Sequence, residues 1–177
     1  LLDLRGETMI IDLTGFLDRT TANLHFDNTL EKESIEIGGR EIFFEKPILV
    51  TVDVYRVDGS DYLSGYVNYE YTESCARCLK QFTQEVKGVL SGRLIEKTKD
   101  YDEDEIDEDV IYYEGEILDL TEHVINAIVL SLPMKSLCSE DCKGLCPKCG
   151  KDLNKGKCDC TIEEIDPRLA KLKDLFE

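Results

Sequence analysis

Eight cysteines constrain this 177-residue chain more than any other feature. Six of them fall in CSEDCKGLCPKCGKDLNKGKCDC, residues 138–160, and the other two in CARC, residues 75–78. The later stretch is too polar to build a core of its own, so its thiols are the candidates for holding it. Cys146-Pro147-Lys148-Cys149-Gly150 has the form of a metal-binding knuckle. Two cysteines separated by two residues can wrap one ion with backbone N–H groups turned toward the sulfurs. Pro147 sets a turn dihedral, and Gly150 tolerates the positive φ that often follows the second ligand. Cys158-Asp159-Cys160 offers another pair after an eight-residue loop. A tetrahedron of Cys146, Cys149, Cys158 and Cys160 therefore needs no long-range contact. The one-residue spacing of the last pair leaves open a site that uses only one of them.

The remaining four make a second set. Cys75-Ala76-Arg77-Cys78 is a knuckle without the following glycine. Cys138 and Cys142 share a face if that segment is a helical turn. A site built from both pairs would clamp the chain after Pro133 onto a strand turn and tie the two halves of the sequence together. Zinc is the expected cofactor, in the C-terminal cluster first and in the split site second. Disulfides fit poorly with a chain that shows no signal-peptide pattern. These spacings match neither common ferredoxin run. A redox dithiol at CARC would need a βαβ context that the sequence does not show, and thiols at a strand turn without metal stay open there.

Nothing in the sequence points to catalysis. A catalytic zinc keeps an open position and usually recruits histidine or a carboxylate. Only His25 and His123 are present, and His123, near the start of an apolar helix, suits a surface or core role better than ligation. There is no nucleophile elbow, phosphate-cradling glycine loop or H-E-x-x-H. The chain reads as a non-enzyme with no catalytic residues and no small-molecule substrate.

The rest of the sequence reads as an α+β fold: an antiparallel β-meander with a C-terminal helical, zinc-stapled segment. From Ser34 to Lys97, runs rich in β-branched and aromatic residues indicate four or five strands. In ILVTVDVYRV, Ile48, Val50, Val52 and Val54 alternate onto one face. Asp58-Gly59 is a hairpin signal, and CARC sits where one long strand turns into the next. EILDLTEHVINAIVLSLP predicts a helix with Asp119 and Glu122 as a capping box, an apolar stripe of Leu120, Val124, Ala127 and Ile128, and Pro133 as its stop. A last helix is expected from Asp166-Pro167, burying Leu169, Leu172 and Phe176. Three segments follow: 1–99 with the sheet, 100–110 as an acidic mobile loop, and 111–177 with the helices and cysteines, packed as one unit with 1–99. The eight residues ahead of Met9 read as a remnant or an upstream extension.

The formal net charge of −17 disfavours nucleic acid and anionic membranes as bulk partners. Residues 100–109, DYDEDEIDED, hold eight acidic side chains, and without them the net charge is −9. They lack EF-hand spacing and its central glycine. No apolar run is long enough for a membrane helix. Against this acidity stand Lys143, Lys148, Lys151, Lys155 and Lys157 in the cysteine-rich segment, a weak footprint for RNA phosphates. Aromatic residues for base stacking are missing there, and each Zn(Cys)₄ unit contributes a charge of about −2.

CARCLKQF after a β-run, a helix ending in LSLP, then CSEDCKGLCPKCGKDLN, CDC and DPRLAKLKDL resemble the YceD family, the large ribosomal RNA subunit accumulation proteins, over Leu13 to Phe176. The full C-terminal cluster resembles the Gram-positive form, with the CARC site common to the family and the later one an addition. The resemblance implies a cytoplasmic ribosome-biogenesis factor, without established enzymatic activity, that supports large-subunit rRNA accumulation. Charge favours an adaptor for a basic ribosomal protein or assembly factor. Direct binding to large-subunit rRNA is the alternative, and a thiol redox or metal-storage role a third.

Overall fold

The computed structural model describes residues 8–97 and 110–160. In chain order its elements are β1 (Ile10–Asp12), α1 (Thr14–Leu17), β2 (Asn23–Leu30), β3 (Ser34–Ile37), β4 (Arg40–Phe44), β5 (Ile48–Val57), β6 (Ser60–Ser74), β7 (Gln81–Glu96), β8 (Val110–Tyr113), β9 (Ile117–Asp119) and α2 (Thr121–Ser131).

The alternating apolar residues of β5 explain the sheet. Ile48, Val50, Val52 and Val54 are all buried, while Leu49, Asp53 and Val57 face outward. β5 turns through Asp58 and Gly59, both at positive φ, into β6, with Val57 opposite Ser60. Two residues at positive φ are what a tight hairpin turn of this hand requires. β6 then pairs with β7 from Asp61↔Leu94 to Ser74↔Gln81, so the turn between them falls on CARC. On its other edge β6 pairs first with β5 and then, near its end, with β4 at Phe43↔Thr72. β2 adds outside β5, and β3 forms a hairpin with β4.

Two features depart from a simple meander. β8 lies parallel to β7, and β1 and β9 form a separate antiparallel pair. β2 lies ahead of the expected strand region. It covers one edge and exposes most of its side chains, which leaves little hydrophobic alternation to read.

The inner face of the sheet, α2, α1 and the β1–β9 pair enclose one hydrophobic core, drawn from both sides of the 100–109 segment. Leu120, Val124, Ala127 and Ile128 of the helical stripe are all in it. α2 comes so close to β7 that a Cβ on Gly88 would lie 3.0 Å from the Ala127 carbonyl oxygen. Tyr69 on β6 reaches Ser131 at the end of α2 with a 2.8 Å hydrogen bond. The helix starts later than its sequence suggests. Asp119 ends β9, and its carboxylate accepts from the Thr121 N–H at 2.8 Å, so no Asp119–Glu122 box forms. Leu132 is extended ahead of Pro133, as a residue before proline must be.

After α2 the described chain contains turns and bends but no helix, so the expected helical character of the cysteine segment is not present there. Cys138 to Cys142 is a turn, with the Cys142 N–H bonded to the Ser139 carbonyl at 3.1 Å. The acidic run 100–109 and the helix expected from Asp166 lie outside the described residues. Val110, assigned to the acidic loop from sequence, opens β8.

Candidate metal centre

The β6–β7 turn presents Cys75 and Cys78, and the chain leaving α2 brings Cys138 and Cys142 to them. An ionic clamp sets this approach. Arg40 on β4 makes a two-pronged pair with Glu73 at 2.6 and 2.8 Å, and also donates to the Ser136 hydroxyl at 2.8 Å. Glu73 is buried; burial raises its pKa, but the hydrogen bonds from Arg40 and Ser136 outweigh that and lower it. The Ser136 carbonyl accepts from the Ala76 N–H at 2.9 Å, which lays the segment against CARC two residues before Cys138.

The four sulfurs of Cys75, Cys78, Cys138 and Cys142 converge, all within 4.8 Å of one another. Cys75 Sγ lies 3.8 Å from Cys142 Sγ, and Cys78 Sγ lies 3.7 Å from Cys138 Sγ. Those separations are far too long for disulfides, whose sulfurs are about 2.05 Å apart. They match the edge of a tetrahedron of sulfurs about 2.3 Å from a central ion, which is about 3.8 Å. Cys146, Cys149, Cys158 and Cys160 form a second group with the same 4.8 Å limit. Both groups could hold a metal ion. Cys75, Cys78 and Cys142 are buried in the first, whereas only Cys146 is buried in the second.

The knuckles have the same backbone. The Gly150 N–H bonds to the Cys146 carbonyl at 2.9 Å, and the Leu79 N–H to the Cys75 carbonyl at 2.9 Å. Gly150 has φ 71 and Leu79 has φ 60, so a leucine occupies the left-handed position that glycine fills in the other turn. This geometry aims N–H groups at sulfur. Burial opposes the Cys75 thiolate, yet backbone groups of Cys138, Cys78 and Arg77 hold its thiol down at about 6. Backbone groups of Cys149 and Lys148 do the same for Cys146, also at about 6. Cys138, bonded to Cys142 and Cys78 and then penalised by burial, is pushed up to about 12. Cys160, bonded to Cys149, is pushed up to about 12 as well. Thiols must lose their protons to ligate, so a cation binding at either cluster would displace protons.

The two groups are joined. Gly144, at φ 72, lies so near CARC that a Cβ there would be 2.8 Å from the Arg77 carbonyl oxygen. Lys80 and Asp152 form a 2.8 Å ion pair, which holds the Asp152 carboxyl down at about 2. These supporting residues carry no signal in the cysteine spacing, although Asp152-Leu153-Asn154 has the composition of a turn. The histidines lie elsewhere: His25 on β2 bridges Asp53 and Asp27, and His123 is on α2. Lys143, Lys148, Lys151, Lys155 and Lys157 are all exposed around the second cluster. Lys143, Lys155 and Lys157 line one shallow cavity, and the Lys151 ammonium donates to the Lys157 carbonyl at 2.8 Å.

A mostly antiparallel sheet whose longest hairpin ends in a four-cysteine centre, with a second such centre seated beside it, defines a thiol-clustered β-sheet protein. Residues 63–176 match the family model of the large ribosomal RNA subunit accumulation protein YceD, and the chain belongs to that family. It is 30% identical over 170 residues to an uncharacterized protein of Mycobacterium tuberculosis, covering 95% of this chain and 81% of the other. It is 29% identical over 167 residues to the uncharacterized protein YlbN of Bacillus subtilis, covering 88% and 89%. With the chloroplastic YCED homolog 1 of Arabidopsis thaliana it shares 31% identity over 157 residues, 74% of this chain; the match spans 49% of that longer relative. No solved structure matches. Among the described residues no helix is long and apolar enough to cross a membrane.

Proposed function

We propose that the chain is a non-enzymatic, cytoplasmic ribosome-biogenesis factor that supports accumulation of large-subunit rRNA, acting as a zinc-stabilised adaptor for a basic protein partner. Membership of a family named for large ribosomal RNA subunit accumulation is the observation that carries this reading. Zinc suits the donor set: eight thiols in two groups of four, each group within 4.8 Å, with sulfur separations near the tetrahedral edge in the first. Cys75, Cys78, Cys138 and Cys142 would hold one ion, and Cys146, Cys149, Cys158 and Cys160 the other. Bound there, zinc supplies structural cross-links, and with four thiolates around each ion no position is left for substrate. Residues 1–99 and 111–177 then work as one unit.

The adaptor reading follows from charge. The net charge of −17 attracts a basic protein. The exposed lysines that RNA would need lie around the second centre, which carries about −2 when filled. Direct rRNA binding keeps one supporting observation, the cavity lined by Lys143, Lys155 and Lys157.

Crosslinking in cells, with identification of the bound RNA and protein, tests the choice. A basic ribosomal protein or assembly factor as the principal crosslinked species supports the adaptor. Large-subunit rRNA crosslinked at the three cavity lysines overturns it. Elemental analysis of protein purified without added metal is expected to find zinc, lost from the second cluster in Cys149→Ser and from the first in Cys78→Ser. Reduced, ordered clusters without metal would refute the zinc assignment.

A further inference from the structure

The segment between the ligands of the second cluster also reaches the sulfurs of the first. From Gly144 to Asn154 the chain folds as a small hairpin around Cys146 and Cys149. Leu145 bridges to Asp152, and the Leu153 N–H donates to the Gly144 carbonyl at 2.9 Å. This hairpin is seated on CARC. The Leu145 N–H donates to the Arg77 carbonyl at 3.1 Å, and Asp152 pairs with Lys80, two residues beyond Cys78.

Asn154 completes the seat. Its side-chain oxygen accepts from the Lys143 N–H at 2.8 Å, which fixes the amide so that its nitrogen faces Cys142. That nitrogen lies 3.5 Å from Cys142 Sγ and 3.0 Å from Asp152 Oδ1, and Asp152 Oδ1 also accepts from the Asn154 backbone N–H at 3.0 Å. An N–H donor spreads the charge of a thiolate ligand and fixes its direction. Such outer partners typically change metal affinity by about 10–100-fold.

We infer that Asn154 is a positioning residue through which the second cysteine cluster sets the metal affinity of the first. The inference rests on both clusters being metal centres. A metal at Cys146, Cys149, Cys158 and Cys160 orders the hairpin and presents the Asn154 amide to Cys142; without it the donor is released and the first site weakens. Linkage makes the effect reciprocal, so filling the first site tightens the second by the same factor.

The test uses the full chain, stripped of metal and titrated with Co(II). Thiolate-to-cobalt charge-transfer absorption reports filling, and competition with a chelator gives affinities. Cys78→Ser and Cys149→Ser assign the two sites. Asn154→Ala is expected to weaken the first site by about 10–100-fold, while leaving the second unchanged in a Cys78→Ser background. Cys149→Ser should weaken the first site by a similar factor, and adding Asn154→Ala to it should cost little more. Asn154→Asp separates donation to sulfur from simple loop support. It keeps the acceptor for the Lys143 N–H but places a carboxylate beside the thiolate, so the first site should be weaker than in Asn154→Ala. A first-site affinity within about twofold of wild type in Asn154→Ala, well below the usual range for such partners, overturns the inference. So does wild-type-like behaviour of Asn154→Asp, or full additivity with Cys149→Ser. Failure of the wild-type chain to take up cobalt at either cluster refutes the metal assignment itself; uptake at two independent sites refutes only the coupling.

Discussion

Leu79 and Gly150 hold equivalent places in the two cysteine turns, and only one of them suits its backbone. At φ 60, Leu79 bears a Cβ in the left-handed region, where an ordinary residue costs roughly 1–2 kcal/mol. Its side chain is 68% exposed and so recovers little by packing. Leu79→Gly relieves the strain but frees the unfolded chain, an opposing effect of about 0.4–1 kcal/mol. The net expectation is stabilisation of about 0.5–1 kcal/mol, read by denaturant unfolding of the metal-loaded protein. Gly150→Leu introduces the same strain and should destabilise the second cluster. A destabilised Leu79→Gly would mean that the leucine side chain makes a contact worth more than its strain. The sequence marks the missing glycine but not how the turn compensates. The Leu79 N–H donates to the Cys75 carbonyl at 2.9 Å and the Cys75 N–H to the Lys80 carbonyl at 2.8 Å, and these bonds close the turn with Leu79 in the left-handed conformation.

At the scale of elements, the Arg40–Glu73–Ser136 clamp joins β4, the end of β6 and the chain leaving α2. Arg40→Gln leaves Glu73 buried without its cation, a change that typically costs about 3 kcal/mol. Glu73 has a lowered folded-state pKa, so its contribution is fully present above its ordinary value of 4.5 and is lost as pH falls through the lower folded value. The stability gap between wild type and Arg40→Gln should therefore be widest near neutral pH and narrow with acidification; a gap that grows in acid would show that the pair is not its source. This clamp could not be read from sequence, because thirty-three positions separate Arg40 from Glu73 and neither lies in a motif. What was legible has local causes: the period-two pattern of β5, Asp58-Gly59, the α2 stripe and the cysteine spacing. Parallel pairing of β8 and addition of β2 were not, since both depend on which sheet edge is free. The helical turn that would have put Cys138 and Cys142 on one face does not form, for a related reason. Ser136 and the facing sulfurs set that segment, and helical spacing does not.

Across the whole molecule, two independent electrostatic patterns bear on partner choice. Five lysines, Lys143, Lys148, Lys151, Lys155 and Lys157, gather around the second thiol cluster, whereas the eight acids of 100–109 supply nearly half of the net charge of −17. Changing those acids to Asn and Gln alters the long-range field and leaves all eight cysteines in the sequence. For an adaptor with a basic protein partner, attraction acts mainly before contact, so association should slow by roughly tenfold while dissociation stays nearly constant. The difference should vanish near 1 M salt, where screening falls to about 3 Å. For a chain that binds RNA directly the sign reverses, because lost repulsion strengthens binding. Stopped-flow association with a basic ribosomal protein, beside equilibrium binding to large-subunit rRNA fragments, reads both outcomes on the same pair of proteins. Tight and selective binding of wild-type protein to that rRNA at physiological salt would overturn the adaptor, since it would require the clustered lysines to overcome a field of the wrong sign.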